Sequence, residues 1–247
     1  MRLTESFEKQ GLFLFKYRGQ FPVLLFLLVI PFMFDTDYSS LTYDLEFFLL
    51  FLALLCIVIG FFIRFYTIGT TTKGTSGRNT KEQIAESLNC TGIYSIVRHP
   101  LYLGNYLIWL GISITAFNIY FLLFMTVFFW LYYERIMFAE ESFLEKKFQD
   151  SYLQWSAQVP SFIPSFSNYK KSSIRFSFIS ILRREYSSVF SCVIGFAYIE
   201  FIRTYIEDNR CFVSSKTIFV LMIVFLVVLI LKGLRKYTNI LDEEGRS

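Results

Sequence analysis

The apolar residues of this chain fall in long runs parted by short polar stretches, and six of those runs are candidates to cross a membrane. A bilayer core of about 30 Å calls for roughly 20 apolar residues per helix. The first run covers residues 21–34, or starts as early as Leu12, and is flanked and broken by Pro22 and Pro31. The second, 45–63, is almost purely apolar. The third begins just after Pro100 and reaches Phe117, Asn118 makes a tight break, and the fourth, 119–138, returns at once. The fifth, 187–202, holds Ser191, Gly195 and Glu200, and the sixth is 217–231. The pattern predicts an all-α integral membrane protein of about six transmembrane helices, one membrane domain over residues 1–247, with 187–231 as a C-terminal helical pair.

Charge gives these spans a direction. Lys and Arg gather before the first span (Arg2, Lys9, Lys16, Arg18), in the loops after the second and the fourth, and in the tail beyond Lys232. The other set of connections carries Asp35, Asp37, Asp44 and Glu46, the Asn118 turn, and Arg203 with Arg210. Basic segments stay on the cytoplasmic side, so six spans with both termini cytoplasmic account for every basic-rich segment. The two large polar segments, 64–100 and 139–186, then share the cytosolic face and flank the open end of the helix 3–4 hairpin, where an active site is expected.

Composition agrees. The chain is 54% hydrophobic and 18% charged, whereas a soluble domain carries about a quarter charged residues. The net charge of +4 adds little as a total, and nothing points to nucleic acid. The four cysteines form no CxxC pair and His99 is the one histidine, which argues against a disulfide framework or a metal centre. The first eleven residues lack the short apolar core and small-residue cleavage site of a cleaved leader.

The densest chemistry lies at 92–105. Pro100 suits a first helical position, which puts Arg98 and His99 at a helix N-terminus on the membrane surface, where the dipole and free N–H groups favour an anion. Tyr102 and Gly104 follow one turn inside; each of these residues alone also reads as an interfacial anchor or a packing position. Acidic residues at membrane depth are costly and are functional candidates, which singles out Glu134, Glu140 and Glu141 at the end of the fourth run. Glu134 and Glu141 are seven apart and share a helix face. A carboxylate there could bind the ammonium of an amino-acid-like cofactor or pair with Arg98, and an amine acceptor would find its base in Glu134 or Glu141. The loop 67–90 is rich in hydroxyls, glycines and cations; Lys73, Arg78 and Lys81 could cradle a phosphate, with Arg78 and Arg98 positioning an oxyanion. Thr80 with Gln83 fits a capping box opening a short amphipathic helix at 81–88.

Arg98-His99-Pro100-Leu101-Tyr102-Leu103-Gly104, then Glu140-Glu141-Ser142-Phe143-Leu144, Phe148, Tyr152 and Val159-Pro160-Ser161-Phe162-Ile163-Pro164 together resemble the isoprenylcysteine carboxyl methyltransferase family and its phospholipid methyltransferase relatives. The likeness covers 91–164. It implies an integral membrane enzyme using S-adenosylmethionine, with His99, Tyr102 and Gly104 lining the cofactor pocket, Glu140 and Glu141 holding the cofactor's amino group, and Tyr152 with 159–164 closing over it. Arg98, Arg78 and Glu134 are the catalytic candidates. Three positions depart from the family pattern: Gln149 stands where glycine is frequent, Trp155 where tyrosine is, and Ser161 where a basic residue is. The cation-rich loop followed by the Arg-His-Pro element resembles the bacterial lipid A 1-phosphate methyltransferases, implying a bacterial inner-membrane enzyme with a membrane lipid as substrate. Sterol reductases share a similar membrane hairpin, which keeps a nicotinamide-dependent reductase as the rival reading.

Overall fold

The computed structural model describes residues 2–72, 74 and 83–246, and for residues 21–23 the backbone only. Among these residues it has eight α-helices: α1 Leu3–Lys16, α2 Phe21–Phe34, α3 Tyr43–Gly69, α4 Pro100–Ile114, α5 Ile119–Phe148, α6 Asp150–Ser156, α7 Phe178–Asp208 and α8 Ser215–Tyr237. One isolated antiparallel bridge, Gly92 to Lys170, is the extent of β pairing among them. Four helices, α3, α5, α7 and α8, are long and apolar enough to cross a membrane; α2 and α4 are shorter apolar helices. The protein is an all-α integral membrane protein.

Local chemistry sets the helix starts. Thr42, Asn118, Ser177 and Ser214 each accept a hydrogen bond from the backbone N–H three residues on, capping α3, α5, α7 and α8. Asn118 also donates from its amide to Phe32 O at 3.0 Å and Thr36 Oγ1 at 2.9 Å, fixing the α4–α5 turn against the end of α2. The 30 residues of α5 span about 45 Å at 1.5 Å each, so its last turns with Lys146 and Lys147 pass beyond the hydrocarbon core.

In lipid, apolar burial does not drive helices together, and close backbone approach through small residues takes its place. A Cβ on Gly60 would lie 2.8 Å from Gly104 O, one on Gly104 would lie 2.6 Å from Arg64 Cγ, and one on Gly111 would lie 2.6 Å from Ala53 O. These glycines let α3 and α4 run in contact along their length.

The spans observed differ from the hydropathy reading in three ways. α1 is a separate amphipathic helix that lies against α5, with Arg135 over the Phe7 ring at 3.5 Å and Lys146 paired to Glu8 at 2.5 Å. α7 begins nine residues before the predicted span, because Phe178 to Tyr186 keep helical periodicity after average hydropathy has fallen. The helix predicted at 81–88 does not form over its described part, since residues 83–88 have no helical hydrogen bonding. They border a cavity, with a bend at Glu86 and Ser87, and Gln83, Ile84, Ser87 and Leu88 form part of its wall.

The four basic-rich segments meet at one end of the bundle. Arg246 donates to Thr71 O at 2.8 Å, Ser177 N to Gly69 O at 2.9 Å, and Arg183 pairs with Asp242 at 2.6 Å, joining the tail, the loop after α3 and the start of α7. α1 joins the same end through Lys146 and Glu8.

Candidate functional site

Pro100 opens α4 and His99 is its N-cap, so Arg98 and His99 sit where the loop enters the helix. Two backbone bonds hold them from behind: Arg98 N donates to Pro160 O at 2.9 Å and His99 N to Ser161 O at 3.2 Å. The strip 159–164 thus anchors the Arg-His pair, and its residues are not on the cavity wall, unlike the closing role the resemblance implies. Trp155 donates its indole N–H to Tyr94 O at 3.1 Å and does line the cavity.

The cavity holds about 530 Å³ between the basic end of the bundle and its interior. Two consecutive carboxylates of α5 enclose the buried imidazole of His99. Its Nε2 lies 2.8 Å from Glu141 Oε1 and its Nδ1 3.6 Å from Glu140 Oε2. Tyr102 donates its hydroxyl to Glu140 at 2.7 Å, and Arg98 pairs with Glu141 at 3.1 Å. Tyr152 accepts a long 3.5 Å bond from Arg98. Burial would depress the His99 pKa, but hydrogen bonds and charge from Glu140 and Glu141 outweigh it and the net shift is upward. Burial, and then the Glu141 charge, push the Tyr152 phenol upward, so it stays a neutral hydroxyl. Arg98 Nε is buried with no hydrogen-bond partner.

The predicted residues therefore sort by position. Arg98, His99, Tyr102, Glu140, Glu141 and Tyr152 come together on one wall. Gly104 does not: it faces Gly60 and Arg64 across the α3–α4 contact, and its part is helix approach. Glu134 is not on the wall either; it pairs with Arg135 at 2.7 Å, two turns below Glu141, with its side chain 43% exposed. Tyr133, seven residues before Glu140, lines the cavity with Glu140 and Glu141, and Glu134 beside it does not. Arg78, with Lys73 and Lys81, lies outside the described residues.

Gln149 explains one departure from the family pattern. It connects α5 to α6 with φ +46°, a conformation glycine adopts freely and other residues with strain.

Sequence reasoning missed a second polar group on the cavity. Arg64, at the end of α3, binds Glu185 of α7 through two 2.7 Å bonds and donates to Ser188 Oγ at 3.3 Å and to Asn105 Oδ1. Asn105 in turn donates to the Tyr133 hydroxyl at 3.3 Å. The 3–4 residue spacing of Ile181, Glu185, Ser188 and Cys192 was the available signal, hidden because the polar run around Arg184 ended the hydropathic span.

The phospholipid methyltransferase family model matches residues 48–151, somewhat under half of the chain. A curated relative, the protein-S-isoprenylcysteine O-methyltransferase of Schizosaccharomyces pombe, is 37% identical over 73 residues, which are 30% of this chain and 31% of that protein. The chain thus matches less than a third of the length of that relative. No solved structure matches it.

Proposed function

We propose that this chain, whose residues 48–151 match the phospholipid methyltransferase family model and which resembles an isoprenylcysteine O-methyltransferase over 73 residues, transfers a methyl group from S-adenosylmethionine to an anionic oxygen of a membrane-embedded acceptor. The observation that carries this reading is the carboxylate pair Glu140–Glu141 closed around His99 on the wall of a 530 Å³ cavity, beside an Arg98 whose Nε has no partner. The groups present fit the cofactor. Two carboxylates suit an ammonium, the α4 N-terminus suits a carboxylate, and Tyr94, Tyr152 and Trp155 offer aromatic faces to a purine. When bound, S-adenosylmethionine supplies an electrophilic methyl on sulfur.

The residues then have position and charge to provide. An oxyanion attacking in line needs no general base, so no carboxylate has to accept a proton. Alignment of the two partners supplies much of the rate. The Arg98 guanidinium, on the cavity wall, is placed to hold the acceptor oxygen without protonating it. Among the described lining residues, four guanidinium groups (Arg18, Arg64, Arg98, Arg184) face three carboxylates (Glu140, Glu141, Glu185), a balance that favours an anionic acceptor.

The acceptor we favour is a lipid phosphate such as the lipid A 1-phosphate, reached from the cytoplasmic face of a bacterial inner membrane with both termini cytoplasmic. The gathering of basic segments at the cavity end of the bundle supports that orientation. A prenylcysteine carboxylate is the second reading, favoured by the name of the fission-yeast relative. Purified protein supplied with labelled cofactor should methylate lipid A and leave a farnesylcysteine analogue unlabelled. The reverse outcome overturns the phosphate reading, and label on neither overturns both.

A further inference from the structure

The cavity has a second wall that lies outside residues 48–151. Helix α7 contributes Arg184, Glu185, Ser187, Ser188, Ser191 and Cys192 to the lining. Arg184 and Glu185 are buried, at 6% and 2% exposure, and Glu185 fixes Arg64 by its two-point contact. A guanidinium held this way cannot swing to other partners, so the polar part of this wall is set before any ligand arrives.

Further along the same helix the character of the wall changes. Ser187 and Ser191 line the cavity and are also exposed at the molecular surface, so the cavity reaches the outside beside this face of α7. Ser191 Oγ donates to Ser187 O at 2.9 Å, and its hydroxyl is thereby satisfied within the helix. The surrounding lining is Phe26, Ile108, Trp109 and Ile112. Beyond Ser191 the gap closes, where Tyr198 donates to Phe26 O at 2.8 Å and Gly195 faces the Phe26 ring. A charged head region that continues into an apolar channel bordered by α2 and α7 has the imprint of an amphiphile.

We propose that this α7 wall is the acceptor subsite. Arg184, and Arg64 as positioned by Glu185, face the anionic head of a long-chain lipid, and its chain leaves past Ser187 and Ser191 between α2 and α7. The inference rests on the methyl-transfer reading and deepens it: selection of the acceptor draws on α7, which lies C-terminal to the family segment.

The test uses the full chain in lipid nanodiscs and two substitutions. Ser191→Trp fills the exit; Leu182→Trp adds the same bulk nine residues earlier, half a turn round α7, where the side chain is exposed and off the cavity wall. Two readouts are taken: S-adenosylhomocysteine affinity, and turnover of long- and short-chain alkyl phosphates with matching thioether carboxylates as a second arm. Ser191→Trp should raise the KM of the long-chain acceptor at least tenfold and leave the short-chain acceptor and S-adenosylhomocysteine within about twofold. Leu182→Trp should change none of them. Equal effects of the two variants, or equal loss of cofactor-product and acceptor binding, would overturn the subsite. If the wild-type protein turns over neither acceptor, the methyl-transfer reading fails. The subsite is then read from direct binding of the long-chain phosphate by native mass spectrometry, and undiminished binding in Ser191→Trp sinks it as well.

Discussion

The two ends of this helix bundle use the same chemical parts to different ends. At the end remote from the cavity, Arg203 binds Glu46 at 2.5 Å and Glu207 at 2.7 Å and lies over the rings of Phe117 and Tyr38 at 4.9 and 5.3 Å. Glu200 there accepts from Ser214 N at 2.9 Å and Thr217 Oγ1 at 2.5 Å. Every partner comes from the protein, and none of these residues lines the cavity. At the other end, Arg98, His99, Glu140 and Glu141 are just as densely paired, yet they surround 530 Å³ of space and leave Arg98 Nε unpaired. An arginine–carboxylate cluster in a membrane protein is thus no sign of chemistry by itself. What marks the site is a cluster arranged around a volume, with an N–H donor left unpaired.

The largest expected effect separates the ends by function. A charge-assisted hydrogen bond contributes roughly 1.5–3 kcal/mol, so Glu140→Ala with Glu141→Ala should lower S-adenosylmethionine affinity at least about a hundredfold in equilibrium binding. Arg203→Met should lower thermal stability, since it strands Glu46 and Glu207, and leave that affinity within about twofold. If Arg203→Met weakened the cofactor as much as the double variant does, the comparison would collapse.

Next in size is Arg98→Lys. It keeps the charge but loses the planar fork, and should reduce turnover by about tenfold or more, with cofactor affinity changing far less. Steady-state kinetics beside direct binding would show it; equal losses would place Arg98 in the cofactor site alone.

A pH experiment sharpens the electrostatics. The folded pKa of His99 is raised above its unfolded value of about 6.5. Its contribution to stability is fully present below the unfolded pKa and is lost as pH rises through the folded one. The wild-type melting temperature should therefore fall as pH rises from the unfolded pKa through the folded one, relative to His99→Gln, which lacks the group. Parallel pH profiles would show that the imidazolium is not held by the glutamates.

The smallest effect is Gln149→Gly. Relieving a positive φ should stabilise the protein by about 1 kcal/mol and leave cofactor affinity unchanged. A loss of stability would mean that the Gln149 side chain matters more than its backbone.

Much of this arrangement was legible in the sequence, for reasons that also explain what was not. Long apolar runs mark bilayer passage directly, and Pro100 next to Arg98 and His99 announces a helix N-terminus, so the bundle and the first wall of the site could be read without coordinates. Glu140 and Glu141 could be picked out because carboxylates near apolar runs are rare. Glu134, two turns away, met the same criterion and lies off the wall; spacing fixes a face of the helix but not what the face looks upon. Gly104 illustrates the same limit, since only the position of α3 shows that the close approach is to Gly60 and Arg64. The pairing of Arg64 with Glu185 joins residues 121 apart, and local pattern carries no information on contacts that distant. α1 was missed because its apolar face is a stripe and not a run.

The central claim is that the carboxylate pair holds the amino-acid end of S-adenosylmethionine, and direct titration of the purified protein in nanodiscs tests it. The protein should bind S-adenosylmethionine saturably, S-adenosylhomocysteine should displace it, reduced nicotinamide dinucleotide phosphate should not, and binding should be lost when Glu140 and Glu141 are both replaced by alanine. Undiminished binding in the double variant, or saturable binding of the nicotinamide in place of S-adenosylmethionine, would contradict it.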